Sequence, residues 1–157
     1  MSALKSFLLA IDMATRKRDQ ANQGLMHAQQ AHLFAQDQMM QLETYAAETE
    51  SKWTAAAQIS TSPEMMRHHY QFMGRLHHAI GLQKGALENE IRKVDAAKRL
   101  VLEAEFRLVS LTQVLRKKQA DLNLLQSRRE QKQMDEFASL RSRQSTGEYS
   151  VENEHEH

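Results

Sequence analysis

One proline in 157 residues is the feature that most limits what this chain can fold into. Proline breaks a helix and glycine weakens one, and glycine occurs only five times. The proline sits in Ser60-Thr61-Ser62-Pro63-Glu64, which reads as the end of one helix and the start of another. Ser62 is a good N-cap, Pro63 suits the first helical position, and Glu64 favours the positive helix end. The remainder is dominated by Ala, Leu, Gln, Glu, Lys, Arg and Met, all good helix formers, so a strand-based fold lacks material. Two helices are expected, over about 2–58 and 63–143, with a disordered acidic tail over 144–157 that lacks apolar periodicity.

Both segments carry a seven-residue repeat. In the first, one lane runs Leu4, Ile11, Arg18, Leu25, His32, Met39, Ala46, Trp53. A second runs Phe7, Ala14, Ala21, Ala28, Ala35, Leu42, Thr49, Ala56. In the second segment Met73, Ile80, Leu87, Val94, Val101, Leu108, Leu115 and Leu122 form an unbroken apolar lane. Beside it lie Leu76, Gln83, Glu90, Ala97, Ala104, Leu111, Lys118 and Leu125, whose polar members suit exposed or register-setting positions. Alternating spacings of three and four define a coiled-coil seam. The fold class expected is all-α, a long two-helix antiparallel coiled-coil hairpin with an overhanging C-terminal end.

A short break forces antiparallel pairing, bringing Trp53 near Met66–Tyr70 and Leu4 near Leu115 or Arg116. Ala14–Ala35 then opposes the region of Ala97 and Ala104. Everything after about Leu122 lacks a partner from the first helix, an overhang of roughly 30 Å at about 1.5 Å per residue.

Composition narrows the function. A mean hydropathy of −0.66 and 6% aromatic residues suit a narrow seam better than a wide core. A net charge of +1 argues against a nucleic-acid binder, which needs a clear excess of Lys and Arg. No cysteine means no disulfide framework and no thiolate metal site. No apolar run approaches the roughly 20 residues needed to span a bilayer. Met1–Arg18 lacks a cleavable apolar core, so a cytoplasmic protein is expected.

No catalytic site, cofactor site or metal site is expected. His68, His69, His77 and His78, with His27 and His32, lack a familiar ligand spacing on one helix face and read as polar-face or interface residues. There is no glycine-rich phosphate cradle and no nucleophile elbow. Two regions suit protein docking instead. Around the break, Met39-Met40, Met65-Met66 and Met73 cluster with Tyr70, Phe72 and Leu76. Met39, Met73 and Leu76 are expected in the seam, while Phe72 and Ala79 lie just off it. Near the C-terminus, Met134, Phe137 and Leu140 recur at helical spacing on the overhang and read as a docking strip.

Gln131-Lys132-Gln133-Met134-Asp135-Glu136-Phe137-Ala138 resembles the C-terminal Gln-Lys-x-x-Asp-Glu-x-Ala signature of the FliJ family, coiled-coil proteins of the bacterial flagellar type III export apparatus. Tyr70-Gln71-Phe72-Met73-x-x-Leu76-x-x-Ala79-Ile80 is similar to the start of that family's long second helix. The resemblance covers roughly residues 1–143. It implies a non-enzymatic accessory of the hexameric export ATPase, with a hairpin similar to the rotor stalk of F-type ATPases. It further implies coupling of ATP hydrolysis to substrate export, with an added role in escorting export-substrate chaperones. The implied ATPase contacts are Gln131, Lys132, Asp135, Glu136 and Phe137, together with Met134 of the apolar strip. Contact with the export-gate membrane protein is implied for Phe72, Leu76 and Ala79, and the histidine some relatives carry one turn later is Gln83 here. The implied location is peripheral, at the cytoplasmic face of the inner membrane at the flagellar base. Rival readings are the stalk of a virulence-type secretion system, a coiled-coil tether without an ATPase, and a membrane-surface amphipathic helix in Met1–Arg18.

Overall fold

The computed structural model describes the backbone of residues 2–154 and the side chains of residues 3–147. Two helices pack against each other, α1 over Ser2–Ile59 and α2 over Pro63–Glu154, with no strand among the described residues. The break between them is built as its residues demand. Ser62 Oγ accepts a hydrogen bond from the Met65 amide at 3.2 Å, and the Ser62 carbonyl accepts from the Met66 amide at 3.0 Å. Pro63 opens α2, where its missing N–H leaves nothing unsatisfied, and Glu64 occupies the first turn. α2 continues eleven residues past the expected end near Arg143. Most of the expected disordered stretch, 144–157, lies outside the described side chains.

The chain divides into two units, Leu9–Leu108 and a second made of Met1–Leu8 with Val109–His157. The unit Leu9–Leu108 is an antiparallel hairpin held by a thin seam. Its buried residues are Ala14, Ala35 and Ala46 on α1 and Met73, Leu76, Val94 and Val101 on α2. Small residues on one helix let the other approach closely, and the larger α2 side chains fill the interval. Ala46, Met73 and Leu76 form one buried cluster, backed by Leu42 and Ile80. The two expected α1 lanes are buried or half-buried through Trp53; beyond it the lane steps to Ala57, and Ala56 is exposed.

Polar seam residues fix the register. Gln83 Nε2 donates to the Ala35 carbonyl at 3.0 Å and to Gln38 Oε1 at 3.3 Å. Near the break, Trp53 stacks on His69 with ring centroids 4.4 Å apart and planes 10° from parallel. In that register His32 falls level with Glu90. His32 Nε2 and Glu90 Oε2 are buried without a hydrogen-bond partner, while Glu90 Oε1 accepts from Lys93 Nζ at 3.4 Å. Two orphaned polar atoms in so narrow a seam oppose its stability.

In the other unit, Leu4 and Phe7 are half-buried along with Leu111 and Leu115, and the Lys118 ammonium lies 4.2 Å from the Phe7 ring centroid. There the covered seam stops. The lane members Lys118, Leu122 and Leu125 are exposed, so burial ends at Leu115 in one lane and Leu111 in the other, one and two heptads before the sequence pattern does. Every described residue from Arg116 to Gly147 is exposed, about 48 Å of helix at about 1.5 Å per residue. That run is longer than the overhang expected from the sequence.

Replacing both orphaned groups, His32→Leu with Glu90→Leu, should stabilise the hairpin by about 1–3 kcal/mol. Urea denaturation followed by helical circular dichroism reads this as a raised midpoint.

Candidate functional site

The exposed stretch of α2 presents distinct faces, because successive residues turn by about 100°. Met134, Phe137 and Ala138 share one face with Glu130, Gln133 and Arg141, and these six side chains line a shallow depression of about 590 Å³. Met134 is 73% exposed and Phe137 64% exposed, so both apolar side chains are largely open to solvent. The Arg141 guanidinium carbon lies 5.7 Å from the Phe137 ring centroid and closes one end of the face.

Gln131, Lys132 and Asp135 line the neighbouring face with Ser127 and Arg128. Glu136 stands about 160° around the helix from Met134 and beside Lys132 one turn earlier, at the edge of the charged face. The signature is contiguous in sequence but is split by the helix into an apolar strip and a charged strip edged by Glu136. Leu140 follows Phe137 at i+3, about 60° around the helix, and lies on the side of Leu122 five turns earlier, so it stands between the docking strip and the seam lane.

The second group lies on the hairpin of residues 9–108. Phe72 is 38% exposed and meets Tyr45 edge-on, with centroids 6.1 Å apart and planes at 82°. Ala79 is half-buried. Leu76 is 8% exposed and packs into the cluster with Ala46 and Met73, where its heptad position puts it. Of the three residues only Phe72 and Ala79 have surface to offer a partner, and Leu76 supports them from beneath. Tyr45 was missed by sequence reasoning; its signal was an aromatic one position before the seam residue Ala46.

Among the described residues no group of three or more His, Asp or Glu side chains converges as a metal site. No helix among them is long and apolar enough to cross a membrane.

The family model of the flagellar FliJ protein matches residues 4–147. The chain belongs to the FliJ family. The match takes in both helices, the break and the whole exposed stretch of described side chains on α2. FliJ proteins are components of the flagellar export apparatus, and this FliJ chain is therefore one. No curated protein and no solved structure matches it.

Burial separates the two groups of candidate residues experimentally. Leu76→Ala should cost about 2–4 kcal/mol of hairpin stability, as buried large-to-small changes do. Met134→Ala and Phe137→Ala should each stay within about 0.5 kcal/mol of the parent. Chemical denaturation of the three single variants checks this.

Proposed function

We propose that this FliJ protein couples the flagellar export ATPase to the export gate. The exposed C-terminal stretch of α2 docks in the ATPase hexamer, and the surface near the break contacts the export-gate membrane protein. The observation that carries the reading is the bare helix from Arg116 to Gly147, which holds the family signature and leaves its apolar residues exposed. A lone helix gains little from propensity alone, so a surface kept this long and exposed is suited to being received by another protein.

Within that stretch Gln131, Lys132 and Asp135 supply directional polar contacts from one face. Met134 and Phe137 supply apolar area from the next. Such a pairing of a buried aromatic anchor with a polar flank is how interfaces concentrate their energy. Glu136, one turn after Lys132, extends the polar contact around the edge of that face. At the hairpin, Phe72 braced by Tyr45, with Ala79 beside it, forms the gate contact. The molecule acts by joining two partners, carries out no chemistry itself, and sits at the cytoplasmic membrane face through the gate. Escort of export-substrate chaperones is a further role the family suggests.

The flagellar reading is favoured over a virulence-type stalk by the family match over residues 4–147. The tether without an ATPase partner is the reading from another class, and purified ATPase distinguishes it.

Asp135→Ala with Lys132→Ala should weaken binding to the purified ATPase by about ten-fold or more, with circular dichroism unchanged. Phe72→Ala should reduce capture by the gate protein's cytoplasmic domain and leave ATPase binding intact. ATPase binding at parental strength in the first variant rejects the assigned ring surface, and undiminished gate capture in the second rejects the gate surface.

A further inference from the structure

The exposed face around Met134 and Phe137 is its own complement. Its acidic member, Glu130, stands at one end and its basic member, Arg141, at the other, eleven residues or about 16 Å away. The two large apolar residues lie symmetrically between them. Reversing the helix about the point between Asp135 and Glu136 lays Glu130 on Arg141, Gln133 on Ala138 and Met134 on Phe137. We propose that this face pairs antiparallel with the same face of a second copy of the chain.

Charge selects both the occupant and its direction. An isologous interface requires one patch to complement itself, and opposite charges at opposite ends do so only when the helices run antiparallel. In the parallel arrangement Glu130 would meet Glu130 and Arg141 would meet Arg141, which is repulsive at both ends. At the centre, antiparallel pairing sets each methionine sulfur against a phenylalanine ring, a favourable contact made twice. The opposed Gln133 and Ala138 are small or flexible enough not to hold the helices apart. Met134 and Phe137 remain 73% and 64% exposed. Glu130 meets Gln126 Nε2 only at 3.5 Å, the edge of hydrogen-bond range, and Arg141 rests on Phe137. Both charges are therefore available to a partner.

The size of the face sets the strength. Two large apolar side chains and their polar flanks per copy bury roughly 1,000 Å² in total, which places the pair among transient interfaces. Dissociation is expected on the order of 100 µM. Resting on the ATPase reading above, such weak pairing has a consequence. It shields the apolar strip of the free protein and yields to the ring, so self-association and ATPase binding compete.

Sedimentation equilibrium on the full chain, from about 10 µM to about 1 mM so as to bracket that constant, is the test. The average mass should rise with concentration from 18.1 kDa toward twice that value. Glu130→Arg and Arg141→Glu should each weaken association about ten-fold. The double variant carrying both changes should return it to within about three-fold of the parent, because each reversed charge again meets its opposite. Phe137→Glu should leave only monomer, with helicity by circular dichroism unaltered. A parent chain that stays at 18.1 kDa throughout overturns the proposal. Association that ignores both single changes assigns the contact to another face and also overturns it, and a double variant no better than the singles removes the antiparallel pairing. ATPase binding is measured separately on the same proteins: self-association with no ATPase binding would sink the functional reading alone, and the reverse would sink only this one.

Discussion

A narrow contact between alanines on α1 and valine, leucine and methionine on α2 holds the hairpin of residues 9–108 together. The asymmetry has a simple cause. Two helices can approach closely only where one side is small, and the other must then supply the volume that fills the seam. Ala14, Ala35 and Ala46 provide the first condition; Met73, Leu76, Val94 and Val101 provide the second. With so little core, single polar residues in the seam matter more than they would in a globular domain. Gln83 spends its amide on fixing register, whereas His32 and Glu90 each leave an atom unsatisfied. A seam that tolerates such defects is stable enough to persist but not maximised for stability, which is common where function sets other demands.

Where the seam stops determines what is left for partners. In the unit containing Met1–Leu8, Phe7 meets Lys118, and α2 beyond has no α1 residue to cover it. Its leucines, methionine and phenylalanine stay exposed, distributed over several sides of the helix. Apolar residues at Leu122 and Leu125 keep the direction of the seam, while Met134 and Phe137 are turned on average about 120° from it. A receiving structure that surrounds the helix could use both; a flat one could use only one.

Function in this FliJ protein is a matter of which side chains are withheld from the fold. Phe72 and Leu76 illustrate the point, four residues apart on one helix. Leu76 is drawn into the seam by its position, and Phe72 is held at the edge by Tyr45. Similar chemistry, separated by one turn, thus divides into a buried side chain and an accessible one.

Sequence alone determined the element count, the position of the break, the capping of α2 by Ser62 and the seam through Trp53 on α1 and Leu115 on α2. These follow from local rules: proline and serine chemistry, helix propensity and a seven-residue repeat. The family signature was also legible, because it is a contiguous string. The tertiary structure decided the rest. Leu122 satisfies the repeat yet is exposed, since burial needs a second helix and α1 has run out. The same limit lengthened the bare stretch of α2. Tyr45 became a partner of Phe72 only through antiparallel register, and Glu136 came to stand beside Lys132 only through the turn of the helix. Periodicity states which residues could be covered; only the arrangement of the partner chain segment states which ones are.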